Sequence, residues 1–402
     1  MSIGSLSAVR SCYFVSGVFQ AQRSKEPPAQ APKPEIVNPT VPEKPPIESK
    51  EQKESLLAPT PVLDGFNAME AYFSWDGKRI IFQGADNAGR ETPLQVYTWE
   101  FAKEGEKANS PKCWTSSPFD CECTFFSSDG QYVVFNTRPR EASSKAIDFG
   151  GYPYSYDSGK EIFLGRIEGD RLITERLTKN SSYEAETSFS PTFVNRPGYP
   201  KDGVYLLFTS SRSGSLDLYI RRILDSNGHR MEIAEIGQGE APISDQAIQI
   251  TNTPTLQEGG AFFMPDGRIV YRAWEFDPMN PQKDQWERDR TNYRPMQLYL
   301  FDPITGEHKQ LTKGNIRHWA PYPHPDGEKI VFAKRDFSEE NHNFDIFVLH
   351  LEDGRQERIT QGPDFDGYPV FHPKGDLILF SRYVREEHRF QLMQVPYRNS
   401  PN

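Results

Sequence analysis

An all-β architecture is what this sequence predicts: a six-bladed β-propeller of four-stranded antiparallel blades, closed by an N-terminal strand. Three observations predict it. The same hairpin returns six times along the chain. Each return is followed by a third strand and then a more polar fourth. The sixth unit stops one strand short, and a strand-like segment lies unused ahead of the first.

The hairpin is clearest in "WAPYPHPDGEKIVFAKR" (319–335), "GYPVFHPKGDLILFSR" (367–382) and "GGAFFMPDGRIVYRA" (259–273). Earlier copies are "EAYFSWDGKRIIFQ" from Glu70, "CTFFSSDGQYVVFN" from Cys123, and "ETSFSPTF…GVYLLFTSSR" from Glu186. In most copies the turn reads X-Pro/Asp-Gly. Pro presets the first turn position, Asp bonds its own neighbours, and Gly takes the left-handed one. Gly77, Gly130, Gly267, Gly327 and Gly375 hold that place, and the third copy has a longer loop, "TFVNRPGYPKDG". Aligned on the residue ahead of the turn (Ser74, Ser127, Ser190, Met264, His324, His372), the copies recur roughly every 50–75 residues, a spacing that belongs to propellers and solenoids. The second strands, such as "RIIF", "YVVF" and "KIVF", are apolar on both faces, as strands between packed sheets are.

The third strands are "LQVYTWEF", "EIFLGRI", "LDLYIRRI", "QLYLFDP", "FDIFVLHL" and "FQLMQVPY". Fourth strands often end in Leu-Thr or Ile-Thr: "RLTKN", "QITNT", "QLTKG", "RITQG". Four strands in each of six units make a propeller. "SLLAPTP" (55–61) is expected to supply the outer strand of the last blade, which also removes an exposed sheet edge.

Residues 1–23 have a semi-apolar stretch interrupted by Ser16 and Gly17. Secretory signal is the favoured reading, with an organelle presequence or a misplaced start as alternatives. Residues 24–54, rich in Pro, Glu and Lys, read as a disordered linker. The propeller is assigned to 55–398. The net charge of −10 argues against nucleic-acid binding. No apolar run approaches the length of a membrane-spanning helix, and a monomer is expected.

The combination of inner strand, Ser-Pro-Asp-Gly, apolar strand, Ser-Arg, Asp-Leu-Tyr and Leu-Thr resembles the TolB-type propeller repeat, a relative of the WD-type repeat. "FTSSRSGSLDLYI" and "HWAPYPHPDGEKIVF" carry it best. The resemblance covers about residues 60 to 398. It implies an exported, periplasmic protein. TolB proteins also have an α/β domain ahead of the propeller that binds Tol–Pal partners; here that place holds the linker.

Fold alone does not fix function. Gly-x-Ser-x-Gly, a Gly-rich phosphate loop and HExxH are absent from the sequence. Related oligopeptidases carry the first of these on a hydrolase domain after the propeller. Six residues before the aligned position lie Ala68, Cys121, Glu184, Glu258, His318 and Asp366; four before lie Glu70, Cys123, Glu186, Gly260, Ala320 and Tyr368. Strand alternation puts both sets on one face. If that face lines the channel, Glu184, Glu258, His318 and Asp366 become a candidate site for a divalent cation such as Ca, Mn or Zn. The plainer reading is that these acids cap loops or bond backbone amides. Arg138, Arg212, Arg272, Arg335 and Arg382 are expected to pair with carboxylates such as Asp217 and Asp345, and His324 and His372 to pack against turns. The cysteines are expected to form a disulfide, Cys113 with Cys121 or Cys123, or to be free buried thiols, rather than to bind a metal.

Two insertions between second and third strands are long, charged and aromatic: "RPREASSKAIDFGGYPYSYDSGK" in blade 2 and "WEFDPMNPQKDQWERDRTNYRPM" in blade 4. They carry Tyr152, Tyr154, Tyr156, Trp274, Trp286 and Tyr293. Long loops on a rigid scaffold commonly bind, and Tyr, Trp and Arg dominate interfaces; a lid packed over the blades is the bland alternative. The leading expectation is a non-enzymatic module that docks a protein or peptide on this face. The rival is a metal-dependent lyase or hydrolase acting on carbohydrate at the acidic mouth, since some related propellers bind metals for such chemistry. A third is an envelope structural protein.

Overall fold

The computed structural model describes residues 58–63, 65–86, 92–102, 109–138, 146–147, 156–157, 159–231, 247–275, 295–338 and 343–398. The expected leader and linker lie outside them.

Six four-stranded antiparallel sheets are formed, five of them in chain order from the inner strand outward and the sixth completed by the first strand of the chain. Blade 1 is Asn67–Phe73, Arg79–Ala85, Gln95–Glu100 and Lys112–Cys113; blade 2 is Glu122–Phe126, Tyr132–Thr137, Glu161–Glu168 and Arg171–Arg176. Blade 3 is Glu184–Phe189, Val204–Ser210, Asp217–Leu224 and Ile248–Gln249; blade 4 is Leu256–Phe263, Ile269–Glu275, Gln297–Phe301 and His308–Gln310. Blade 5 is Ile316–Pro323, Lys329–Asp336, Asp345–His350 and Gln356–Arg358. Blade 6 is Phe365–Phe371, Leu377–Val384 and Arg389–Pro396, and its outer strand is Thr60–Pro61.

The repeated turn has a specific bond pattern. In blade 1, Gly77 N–H donates to the Ser74 carbonyl at 2.8 Å, and Asp76 Oδ1 accepts from Lys78 N–H at 3.2 Å. Gly77 has φ 72°, a conformation that disfavours a Cβ. Blades 2, 4 and 5 repeat both bonds, and blade 6 repeats the first. His324 and His372 do pack against turns. The His324 ring stands edge-on to Phe371 at 4.6 Å, and its Nε2 is 3.1 Å from the Gly375 carbonyl of the next blade. His372 meets Phe73 at 4.9 Å in the same way.

The Leu-Thr and Ile-Thr signature marks the outer edge. Thr178, Thr251, Thr312 and Thr360 are buried, and each Oγ1 accepts a third-strand N–H: Ile162, Leu218, Leu298 and Ile346, at 2.8–2.9 Å. The hydroxyl thus stands in for a ladder carbonyl where the short fourth strand runs out.

The ring closes as expected, through a shorter segment than 55–61. Thr60 pairs with Gln394 and Pro61 with Met393, and Val62 N–H donates to the Leu392 carbonyl at 2.9 Å. Leu63 is buried against the core of the first blades. Deleting residues 1–62 is therefore expected to lower the melting temperature of the whole domain, whereas deleting 1–50 leaves it unchanged. Equal melting temperatures for the two deletions would refute closure by this strand.

Candidate functional site

Each inner strand carries a bulge at the same place. In blade 1, Met69 pairs with Gln83 but Tyr72 with Ile81, so one extra residue is accommodated between them; all six inner strands shift alike. The residue four before the aligned position takes up the extra length in a left-handed conformation: Glu70, Cys123, Glu186, Gly260, Ala320 and Tyr368, with φ between 50° and 57°. Five of the six are not glycine, at a cost of roughly 1–2 kcal/mol each.

The bulge breaks the alternation on which the shared-face expectation rested. The six left-handed residues each keep part of their surface open to the lumen. The six residues two positions earlier are 0–1 % exposed, inside the seams between blades. Glu184, Glu258, His318 and Asp366 are thus not brought together. Glu184 is held by Arg212 at 2.6 Å, with Ser210 and Asn180. Asp366 is held bidentately by Arg382 at 2.7 and 2.8 Å. Glu258 accepts from Thr251, and His318 Nδ1 lies 3.2 Å from the Met296 carbonyl. Among the described residues no group of three or more His, Cys, Asp or Glu is arranged to hold a metal. Of the five arginines, Arg212, Arg272 and Arg382 do pair with carboxylates, those of the inner strands, while Arg138 lies over Phe119 and Arg335 over Phe337. Asp345 is taken by Arg358, and Asp217 by Ser213 and Ser215.

The lumen wall is built from Glu70, Cys123 and Glu186 on blades 1 to 3. Glu70 accepts from Tyr72 Oη at 3.2 Å and Gln83 Nε2 at 2.9 Å, and its own N–H donates to Ser381 Oγ of blade 6 at 2.9 Å. Gln83 bridges onward, its Oε1 accepting from Cys123 N–H at 3.0 Å. Glu186 accepts from Thr209 Oγ1 at 2.9 Å, from Gly260 N–H at 2.8 Å and from Arg272. Glu122, at the start of the blade 2 inner strand, pairs with Lys160, at the foot of the blade 2 insertion. Side chains from one blade therefore satisfy the backbone of the next bulge, which offsets the strain.

Below this wall the lumen is occluded by rings two residues further along. Tyr72 and Phe262, from opposite blades 1 and 4, have centroids 5.6 Å apart; Tyr72–Phe125 is 4.9 Å, Phe262–Tyr322 5.1 Å and Tyr72–Tyr322 6.2 Å. Ser188 and Val370 complete this level in blades 3 and 6. The result is a recess closed at the aromatic level. Its wall residues lie nearer the end at which the inner strands begin. Both insertions leave from that same end, between Thr137 and Glu161 and between Glu275 and Gln297.

Burial, then Glu122 and Glu186, pushes Glu70 up to about 8. Burial raises the Tyr72 hydroxyl and the Cys123 thiol well above their ordinary values, with Glu70 the next cause for each. Cys123 is thus a poor nucleophile. Cys113, Cys121 and Cys123 are free thiols rather than a disulfide pair: Cys113 is exposed with its Sγ on the Thr115 carbonyl, while Cys121 is buried. Glu258 is raised to about 8 by burial, and His318 is lowered to about 4 for the same reason.

Of the six aromatics expected on the binding face, Trp274 belongs to the core. It is 6 % exposed, packs with Tyr183, Ala185 and Leu216, and lies under the Arg272 guanidinium at 5.3 Å. Tyr156 is in a two-residue strand pairing with Ile147 within the blade 2 insertion. Tyr152, Tyr154, Trp286 and Tyr293 lie outside the described residues. Sequence reasoning missed Gln83, Lys160 and the aromatic floor. The floor had a signal: an aromatic two residues before the turn position in four of the six copies.

No family model matches the chain, and no curated protein does. Among solved structures it is similar to a putative TolB from Agrobacterium tumefaciens, at 16 % identity and TM-score 0.44 over 83 % of this chain and 91 % of that one. It is similar to TolB from Acinetobacter baumannii, at 16 % and 0.45 over 80 % of this chain and 64 % of that one. An oligogalacturonate lyase in complex with manganese is similar at 14 % and 0.44, over 85 % and 96 %. The chain resembles TolB propellers. At these identities and TM-scores the fold rests on the strand pairing above, and no activity is carried across.

Two outcomes follow from the buried acids. Glu258, raised from an unfolded value near 4.5 to about 8, contributes stability that is full below pH 4.5 and lost as the pH rises through 8. Glu258→Gln is expected to flatten the fall in melting temperature between pH 5.5 and 8.5, and an unchanged slope would refute it. Arg382→Ala leaves Asp366 buried without its partner and is expected to cost about 3–5 kcal/mol in urea unfolding; a loss under about 1 kcal/mol would show the pair to be dispensable.

Proposed function

We propose that this chain is a binding module that docks a protein or peptide on the end of the propeller bearing the two insertions. One observation carries the reading: rings meeting across the lumen, from opposite blades in the case of Tyr72 and Phe262, occlude it and leave a recess lined by acidic side chains rather than a through channel. A recess on a rigid ring suits the insertion of a side chain or chain end while the flanking loops grip the rest. The exported location suggested by the first residues and by the repeat goes with this reading. No arrangement among the described residues favours the metal-dependent enzyme over it.

Partner capture from a native extract, followed by identification and measurement with the purified partner, tests the proposal. Replacing residues 141–158 by a short Gly-Ser turn is expected to spare the melting temperature and to weaken the partner. Trp286→Ala should weaken it by roughly 2 kcal/mol, as an interface anchor does. Full binding by both variants would overturn the reading, and so would unfolding of the loop deletion, which would make the insertion a packing lid.

A further inference from the structure

We propose that Glu70 is the anionic anchor for an organic cation, an ammonium or guanidinium group carried on a peptide, that enters the lumen from the insertion end. This rests on the docking reading above and names the chemistry at its centre. Three carboxyl groups face this part of the lumen, and two are already matched: Glu122 by Lys160 and Glu186 by Arg272. Glu70 has no salt-bridge partner among the described residues, only the neutral donors Tyr72 and Gln83. Both donors favour the carboxylate, and among the described residues no cation is in salt-bridge contact with it, Lys160 acting on it only through space.

The floor suits the same ligand. Tyr72, Phe125, Phe262 and Tyr322 pack ring against ring at the next level of the lumen, and a cation close to such rings is attracted by their quadrupoles. The lumen is also two-sided. Blades 1 to 3 contribute Glu70, Cys123 and Glu186, while blades 4 to 6 contribute Gly260, Ala320 and Tyr368. The second half offers room and apolar surface to the stem of a Lys or Arg side chain, which needs both.

Asn136 points the same way independently. It is fully buried, and neither its amide nitrogen nor its oxygen has a hydrogen-bond partner. It holds in blade 2 the register position that Gln83 holds in blade 1, each paired with the residue just before the bulge. Gln83 spans the seam to Glu70 and Cys123. Asn136, one methylene shorter at the same register position, makes no such bonds. A buried amide left open on both sides costs about 1–3 kcal/mol per group unless a polar group from the lumen meets it.

Burial chiefly, with Glu122 and Glu186 adding, pushes Glu70 up to about 8, toward the protonated form at neutral pH. Tyr72, Cys123, Tyr322, Lys160 and Arg272 are the other titratable or charged groups around it. An arriving cation favours the carboxylate, and the proton leaves to solvent.

The test uses the full chain and single-residue probes: N-acetyl-lysine amide, N-acetyl-arginine amide, N-acetyl-norleucine amide and N-acetyl-glutamate amide, with putrescine as a free amine. Calorimetry at pH 7 in buffers of different ionisation enthalpy reads both affinity and proton count. The expected result is binding of the Lys and Arg amides alone, with release of up to one proton, tightening toward pH 8.5. Glu70→Gln, which keeps the size of the side chain and removes its charge, should lose at least tenfold in affinity and all proton release. Equal binding of the lysine and norleucine amides, an unaffected Glu70→Gln, or no binding at tens of millimolar would overturn the proposal. Putrescine binding as tightly as the amides would overturn its peptide part. If Glu70→Gln does not fold, proton release by the natural chain decides. Partner capture that needs the loops but not Glu70 would leave the docking reading standing while this inference fails.

Discussion

The left-handed residue in each inner strand is the constraint on which the centre of this molecule depends. An inner strand of a propeller must serve the seam on either side and the lumen in front, and strict alternation offers only two faces. One extra residue, accommodated at φ near 50°, gives a third direction. The residues before it turn into the seams, and the bulge residue itself turns to the lumen. The strain is offset locally, because the bulge N–H groups of Glu70, Cys123 and Gly260 are taken by Ser381, Gln83 and Glu186 of the preceding blade. Blade-to-blade cohesion and lumen lining are therefore set by the same few atoms.

That arrangement also sorts the charges. The seam acids have arginines or hydroxyls beside them and are shut from solvent, so they act as ties between strands. Had Glu184 and Asp366 faced the lumen instead, Arg212 and Arg382 would have had no reason to follow their own strands inward. The lumen acids are different in kind. The charged partners they have come from a neighbouring blade or from the foot of an insertion, as Arg272 and Lys160 do, so part of the electrostatics of the recess depends on the ring being closed. Closure by Thr60–Pro61 thereby bears on the site as well as on stability, since Ser381, which holds the Glu70 N–H, belongs to the blade that this strand completes.

The fold was legible because its signals are local and periodic. A Gly at the turn, an apolar second strand and a Thr at the outer edge each follow from one backbone need, and each recurs where that need recurs. The site was not legible, for an equally physical reason. A left-handed position is advertised in sequence by Gly, and here only Gly260 obeys; Glu70, Cys123, Glu186, Ala320 and Tyr368 carry no such mark. Without it, counting by twos put Glu184 and Glu70 on one face. Trp274 misled in a related way. It sits where the second strand of blade 4 gives way to the insertion, and nothing in its letter tells that the strand runs on long enough to bury it.

The asymmetry of the lumen is the last step. A ring of six like repeats would present six like residues, and the bulge level instead divides into an acidic half and a small or aromatic half. Repeats drift freely where packing alone is at stake, but left-handed Glu70 and Glu186 are each more costly there than glycine would be. Gly260 shows that glycine fits the position. Keeping long acidic side chains at strained positions, raised in one case to about 8 by burial, makes sense only if the carboxylates are used. For Glu186 the use is visible, since it ties Gly260, Thr209 and Arg272 across the seam. For Glu70 the described residues supply hydrogen bonds only from the neutral donors Tyr72 and Gln83, and under the proposal above the remaining half of its interaction is left to the cation that enters the recess.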